Sequence, residues 1–261
     1  MIDIGVNLTN SRFDKDLPAV LKQAKQAGLS KLIVTGTNIT ESEQALTLSK
    51  SYPGFLYSTA GVHPHDASSM DQRALTKLRE LLVQPEVKSV GECGLDFNRN
   101  FSTPAEQEHA FIQQLELAVE YQLPVFMHER DASVRFIELV SPYIKQLSNA
   151  VVHCFTGTQA ELEQYLALGL HIGITGWICD ERRGQHLLDI VKMIPDNRLM
   201  LETDSPYLLP RSMRPKPKSS RNEPKYLPYI AKTIADARQQ DLQLLLSNTQ
   251  QTTNTFFNLT I

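Results

Sequence analysis

The chain is poor in cysteine, in long apolar runs and in any surplus of one charge, and each shortage closes off a class of function. Its three cysteines, Cys93, Cys154 and Cys179, stand far apart with no C-x-x-C pair. That pattern argues against a disulfide framework and for a reducing compartment. No apolar run nears the roughly 20 residues that span a bilayer. The opening Met1-Ile2-Asp3-Ile4-Gly5 lacks the basic start and apolar stretch of a signal peptide. A cytoplasmic location without a membrane partner is therefore expected. With 26 basic against 29 acidic residues the net charge is −3, so no global basic field exists to coat duplex DNA. This excludes stoichiometric packaging of DNA and leaves room for an enzyme that grips a few nucleotides locally. No G-x-G-x-x-G follows the first strand candidate, which removes the main cue for a dinucleotide fold.

What is present is a repeated unit, a short apolar run followed by a helical pattern, eight times over. The strand candidates are residues 2–7, 31–36, 55–62, 87–92, 124–128, 150–155, 170–175 and 198–204. They are rich in Val, Ile or Leu, as buried parallel strands are. The helices between them carry their own punctuation. Thr103-Pro104-Ala105-Glu106 offers an N-cap, a first-turn proline and a capping-box glutamate, with Phe111 and Leu115 behind it at helical spacing. Thr158 and Glu161 repeat the capping box, and Gly28 and Gly169 mark helix ends. Eight such units in 261 residues predict one (β/α)₈ TIM barrel domain over residues 1–261, a class typically about 250 residues long. Residues 223–261 read as the eighth helix plus an extra C-terminal one. A monomer is expected.

The ionisable residues inside apolar runs gather at the C-terminal ends of these strands: His63, Glu92, His128, His153 and Asp204. In (β/α)₈ barrels that rim is where active sites form. Any one histidine there is more often a hydrogen-bonded structural residue than a ligand. Glu92 and Asp204 carry more weight, because a carboxylate in an apolar strand needs a partner. Two His, one Glu and one Asp form a nitrogen and oxygen donor set suited to Mg²⁺, Mn²⁺ or Zn²⁺. Glu202, two residues before Asp204, is placed by strand alternation on the same face one layer deeper. It serves there either as an orienting residue or as an internal salt-bridge partner. The same alternation turns Cys93 and Cys154 away from the site and into packing. His109, His171 and His186 read as structural or surface residues.

Five spaced motifs go further: Gly61-Val62-His63-Pro64-His65, Gly91-Glu92-Cys93-Gly94-Leu95-Asp96-Phe97, Pro124-Val125-Phe126-Met127-His128-Glu129-Arg130, His153-Cys154-Phe155-Thr156-Gly157 and Glu202-Thr203-Asp204-Ser205-Pro206-Tyr207. In this series the sequence resembles the TatD family of metal-dependent deoxyribonucleases, within the amidohydrolase-like barrels, over essentially its whole length. The resemblance implies that Glu92, His128 and His153 are metal ligands. Asp204 would be the catalytic acid/base, touching metal as well, and His63 and His65 would be rim residues for phosphate or water. It further implies a Mg²⁺-supported 3′-to-5′ exonuclease on DNA, action on RNA, and a link to DNA repair. One departure stands out. The family opens with D-x-H-x-H, whereas this chain reads Asp3-Ile4-Gly5-Val6-Asn7. A tightly held second ion is thereby put in doubt, with Asn7 at most positioning water or a loosely held ion.

Substrate grip is sought locally. Residues 210–225 hold Arg211, Arg214, Lys216, Lys218, Arg221 and Lys225 against one acid, Glu223. The segment is either a solvated loop or a phosphate contact through Arg214, Lys216 and Lys218. His63 or Arg130 could steady a non-bridging phosphate oxygen. Phe97, Phe155, Trp177 and Tyr207 follow strands and either stack on unpaired bases or close the barrel. The rivals are a metal-dependent hydrolase of a small ester, lactone or amide, and a barrel kept as a non-enzymatic interaction subunit. Single-stranded DNA is the partner that the first reading names.

Overall fold

The computed structural model of the protein describes residues 1–259; the last two residues of the expected C-terminal helical stretch lie outside it. The strands are β1 (Ile2–Val6), β2 (Lys31–Val34), β3 (Leu56–Ala60), β4 (Val87–Asp96), β5 (Val125–Arg130), β6 (Ala150–Val152), β7 (His171–Ile174) and β8 (Leu199–Leu201). The helices are α1 (Leu17–Gln26), α2 (Ile39–Ser51), α3 (Gln72–Leu82), α4 (Pro104–Tyr121), α5 (Ser133–Val140), α6 (Gln159–Ala167), α7 (Gln185–Ile190), α8 (Leu227–Arg238) and α9 (Leu242–Phe256). The eight strands form one sheet in sequence order, and β1 meets β8 in parallel at Val6 and Ser205. Ser205 lies past the end of β8, so its contact with Val6 is an isolated parallel bridge; the strand order is the connectivity of a (β/α)₈ barrel, with α9 as the additional C-terminal helix. No helix among the described residues is long and apolar enough to cross a membrane.

Two compact units divide the chain. One comprises Thr35–His153 and Ala160–His171. Its strands β3 and β4 pair in parallel, as do β4 and β5, and β5 and β6. Buried on almost every residue, they lack the polar–apolar alternation of a half-exposed sheet because helices cover them. Asn38 and Asp71 cap α2 and α3, and Thr103 and Glu106 form the expected capping box of α4. Phe111 of α4 stacks on Phe136 of α5 at 5.5 Å between ring centres. Both rings are fully buried, each contributing roughly 1.5–3 kcal/mol of transfer free energy.

The other unit holds Met1–Val34, Cys154–Gln159 and the chain from Ile172 onward. There β1 pairs with β2, and β7 with β8. Leu227, Ile230 and Ile234 give α8 a buried face at helical spacing.

The strand ends depart from the sequence expectation, most of all in β4, β6 and β8, and β6 stops at Val152, before His153. β4 runs to Asp96, four residues beyond Glu92, because its ladder with β5 continues through Gly94–His128 and Asp96–Arg130. A register shift between Val90 and Cys93 inserts one extra residue there, a bulge that re-aims the side chains around Glu92. β8 instead stops at Leu201. Asp204 lies past it with φ of 53°, in the left-handed region, so the alternation that placed Glu202 and Asp204 on one face does not hold.

Candidate active site

The unit containing β3 to β6 brings four of the expected residues onto one atom. Oε1 of Glu92 lies 2.8 Å from Nε2 of His153, 3.1 Å from Nδ1 of His128 and 3.2 Å from Nε2 of His63. Glu92 comes from the β4 bulge, its N–H donating to the Gly36 carbonyl at 2.8 Å. His128 sits within β5, and His63 and His153 follow β3 and β6 directly. His65 is beside them, its ring 4.3 Å from that of His63, and its Nε2 lies 2.7 Å from Oδ2 of Asp96.

Electrostatics favour a charged carboxylate in this cluster. Burial opposes the charge of Glu92, but His153 and His63 outweigh it and hold the carboxyl well below its usual range. Burial pushes His63 down, against the pull of Glu92. Burial also works against charge on His128, yet the neighbouring carboxylates of Asp96 and Glu92 leave it raised. Asp96 is likewise held low, its interactions with His128 and the Arg99 N–H overcoming desolvation.

Two details bear on whether a metal ion fits. Nε2 of His128 is a buried nitrogen with no hydrogen-bond partner among the described residues; the nearest carboxylate oxygen, Oδ2 of Asp96, is 3.6 Å away. An unsatisfied buried imidazole nitrogen needs an explanation, and an ion is one. His63, Glu92 and His128 each present a ligand atom within 4.8 Å of the others, and this N/O donor chemistry suits a divalent cation. His63 differs in one respect. Its Nδ1 accepts the His65 backbone N–H at 3.1 Å, which places the proton of the neutral ring on Nε2 and makes that atom a donor.

Sequence reasoning assigned no role to three residues that build this site. Asp96 supports both His65 and His128. Gln107 and Gln114, seven apart on α4 and fully buried, reach from the helix to the strand ends. Gln114 accepts the Val62 N–H at 2.8 Å and donates to the Val62 carbonyl at 3.0 Å, fixing the peptide before His63. Gln107 does the same for Asp96, at 2.8 and 3.0 Å. The available signal was two glutamines on the apolar face that carries Ala110, Phe111 and Ala118.

The other unit holds the remaining expected residues. Asn7 donates from Nδ2 to Oδ1 of Asp204 at 2.9 Å. The Asp204 N–H donates to the Gly5 carbonyl at 2.9 Å. Asp3 accepts the Thr203 N–H at 2.9 Å and its hydroxyl at 2.6 Å. Burial lifts the Asp3 carboxyl to about 8 despite these bonds. Glu202 is fully buried and accepts the Cys154 N–H, bracing the backbone that leaves β6. Cys154 lies beyond β6 with φ of 47°, so strand alternation cannot assign its direction. Cys93 is fully buried, its thiol pushed up by desolvation, as packing demands.

The basic segment divides in two. Arg221 pairs with Asp16 and Glu223, and Lys225 with Glu223. Arg214 donates to the carbonyls of Arg211 and Met213 and lies 3.6 Å from Glu181. Arg211, Lys216 and Lys218 instead line a cavity of about 480 Å³ together with Trp177. Of the other aromatics, Phe155 is buried as packing and Tyr207 is exposed. Arg130, at the end of β5, lies 3.9 Å from Asp131.

Residues 2–258 match the family described as TatD related DNase. A 3′-5′ ssDNA/RNA exonuclease TatD of Edwardsiella piscicida is 56% identical over 259 residues, 99% of this chain and 100% of the relative. Among solved structures, a TatD homologue of Escherichia coli superposes with a TM-score of 0.90 at 28% identity, covering 100% of this chain and 98% of that one. A TatD family hydrolase of Entamoeba histolytica gives 0.89 at 27%, with the same coverage. A match across nearly the whole sequence, on a strand order that the structure shows independently, establishes that the chain belongs to the family of TatD-related DNases.

Proposed function

We propose that this protein is a metal-dependent 3′-to-5′ exonuclease of single-stranded DNA, with RNA as a second substrate, and that it releases mononucleotides. The observation that carries the reading is the convergence of three imidazoles on one Glu92 oxygen beside the unpartnered Nε2 of His128. The activity for which close relatives are named, 3′-5′ ssDNA/RNA exonuclease, supports the substrate and direction. Glu92, His128 and His153 are the residues that would hold the ion, with Mg²⁺ the working choice and Mn²⁺ or Zn²⁺ as substitutes. When bound, such an ion supplies positive charge to a phosphoryl oxygen and acidifies water.

The protein's own groups do the rest. His63, with its proton on Nε2, donates to a non-bridging phosphate oxygen. Asp96 keeps His65 oriented at the rim, and Arg130 adds a cation there. Asp204 accepts the proton of the attacking water, its carboxylate oriented by Asn7. A place in DNA repair belongs to the same proposal. The test is a linear labelled single strand against a covalently closed circle of the same sequence, with Mg²⁺ and then with a chelator. Loss of the linear strand alone, halted by the chelator, is expected. Cleavage of the circle would refute the exonuclease reading, and activity in chelator would refute the metal.

A further inference from the structure

We propose that the cavity lined by Trp177, Arg183, Arg211, Lys216 and Lys218 is a nucleotide pocket, which takes one phosphate-bearing nucleoside of a single strand. The proposal rests on the nuclease reading for the identity of its ligand, and on the cavity itself for everything else. At about 480 Å³ the space falls within the roughly 300–1,000 Å³ of small-ligand pockets.

The pocket has a framework beneath it. Asp180 is 3% exposed. Its carboxylate lies 2.9 Å from Arg183, 3.7 Å from Arg182 and 3.8 Å from Arg211. One buried acid therefore holds arginines from two separate loops. Two glycines let those loops close. A Cβ on Gly176 would come within 2.1 Å of the Leu208 carbonyl oxygen, and one on Gly184 within 1.9 Å of that of Trp177.

Charge and shape then select the ligand. Four cations line the wall against one carboxylate, and that carboxylate is already occupied by arginines. No ion pair among the described residues engages Lys216 or Lys218. Phosphate oxygens are the complementary group, and the Ser219 and Ser220 hydroxyls beside them can donate hydrogen bonds. The Arg183 guanidinium lies over the Trp177 ring at 4.2 Å. Indole and guanidinium planes are surfaces on which unpaired bases stack. Leu208, Pro210 and Pro217 supply apolar wall for a sugar.

Trp177 is the single tryptophan of the chain, so its fluorescence reports on this pocket directly. The whole protein in chelator, where no strand is degraded, is titrated with a single-stranded oligonucleotide, with thymidine 5′-monophosphate and with inorganic phosphate. Saturable quenching by the oligonucleotide is expected. The variant Lys216→Gln with Lys218→Gln should raise Kd at least about tenfold and lower the log–log salt slope by about 0.7, the value for the one phosphate that is no longer neutralised. Arginine at both positions should retain binding. Equal quenching by the mononucleotide would assign the pocket to released product, and quenching by the oligonucleotide alone to the bound strand. No quenching, a Kd and slope unchanged in the glutamine variant, or equal quenching by inorganic phosphate alone would overturn the proposal. Hydrolysis of the linear strand by the unaltered protein with Mg²⁺ is scored separately. Its failure would sink the nuclease reading while the fluorescence result still decided the pocket.

Discussion

Gly94→Ala tests whether the β4–β5 ladder sets the geometry of the site. Gly94 pairs with His128 in register and has φ of +136°, a region essentially closed to other residues. A Cβ there would lie 2.0 Å from the His128 carbonyl oxygen, where about 3.0 Å is the closest that real side chains approach. β5 must therefore retreat by about 1 Å at the residue that carries the candidate ligand. The backbone conformation costs about 1–3 kcal/mol, and forcing packed groups apart about 1–3 kcal/mol more. Stiffening of the unfolded chain offsets about 0.4–1 kcal/mol. Gly54 is the control. Its φ is +77° but nothing lies within 4 Å of the added Cβ, so only the conformational cost of about 1–2 kcal/mol, less the same offset, remains. Urea unfolding of both variants, with unchanged m-values, should show Gly94→Ala the less stable by about 1–3 kcal/mol. Calorimetry should show its divalent-ion affinity reduced at least tenfold, while Gly54→Ala binds normally. Equal midpoints and unaltered ion binding in Gly94→Ala would refute the claim that this glycine holds β5 and His128 in place.

Three further outcomes follow. Gln114→Leu leaves the buried N–H and carbonyl of Val62 unpaired at about 1–3 kcal/mol each; it should lower thermal stability and shift the His63 ring resonances, and a wild-type spectrum would contradict its positioning role. The Asp3 carboxyl, lifted from 3.8 to about 8 by burial, stays protonated in the folded protein while the unfolded chain ionises, so stability should fall as pH rises through that window by up to about 1.4 kcal/mol per unit; Asp3→Asn should flatten the curve, and a slope that persists would place its source elsewhere. Titration with Mg²⁺ or Mn²⁺ without substrate should give one firm site that Glu92→Ala abolishes and Asp204→Asn retains, with activity falling about 10²–10⁴-fold in the latter; two tight, equivalent ions would overturn the reading of strand 1.

The repeat was legible because buried parallel strands are continuous apolar runs, and some of the helices between them were set off by a capping box or a glycine. Strand ends were less so. β4 continues to Asp96 only because Gly91 and Gly94, with φ of +133° and +136°, allow β5 to approach closely. Gly94 falls beyond the strand candidate 87–92 and reads in sequence as a motif letter, not as strand. The five site candidates were legible as polar side chains in or after apolar runs, and the structure gathers four of them, the rim residue His63 with Glu92, His128 and His153. Gln107 and Gln114 were not legible, since a buried glutamine is distinguished from a surface one only by the backbone it meets. The same limit applied to the basic segment. Six cations in one loop look alike until Asp16 and Glu223 take Arg221 and Lys225 and leave Lys216 and Lys218 on a cavity wall.

The altered first strand gains a meaning from these contacts. Where the family resemblance expects two imidazoles, Gly5 offers its carbonyl to the Asp204 N–H and Asn7 offers its amide to the Asp204 carboxylate, both at 2.9 Å. The Asn7 N–H also donates to the Ser205 carbonyl at 2.7 Å. Asp3 grips Thr203 from the other side of the same segment, and Asn222 donates to the Thr203 carbonyl at 2.9 Å. The departure from β8 is thus held by three side chains and two backbone groups. Asp204 is kept there at a left-handed φ, uncommon for residues other than glycine although aspartate tolerates it better than most. An imidazole at position 7 would compete for a cation, whereas an amide N–H hydrogen-bonds a carboxylate and leaves its charge for a proton. In the proposed reading, strand 1 of this chain orients an acid through these bonds instead of ligating an ion, and a single firm metal and an intact acid/base belong together there.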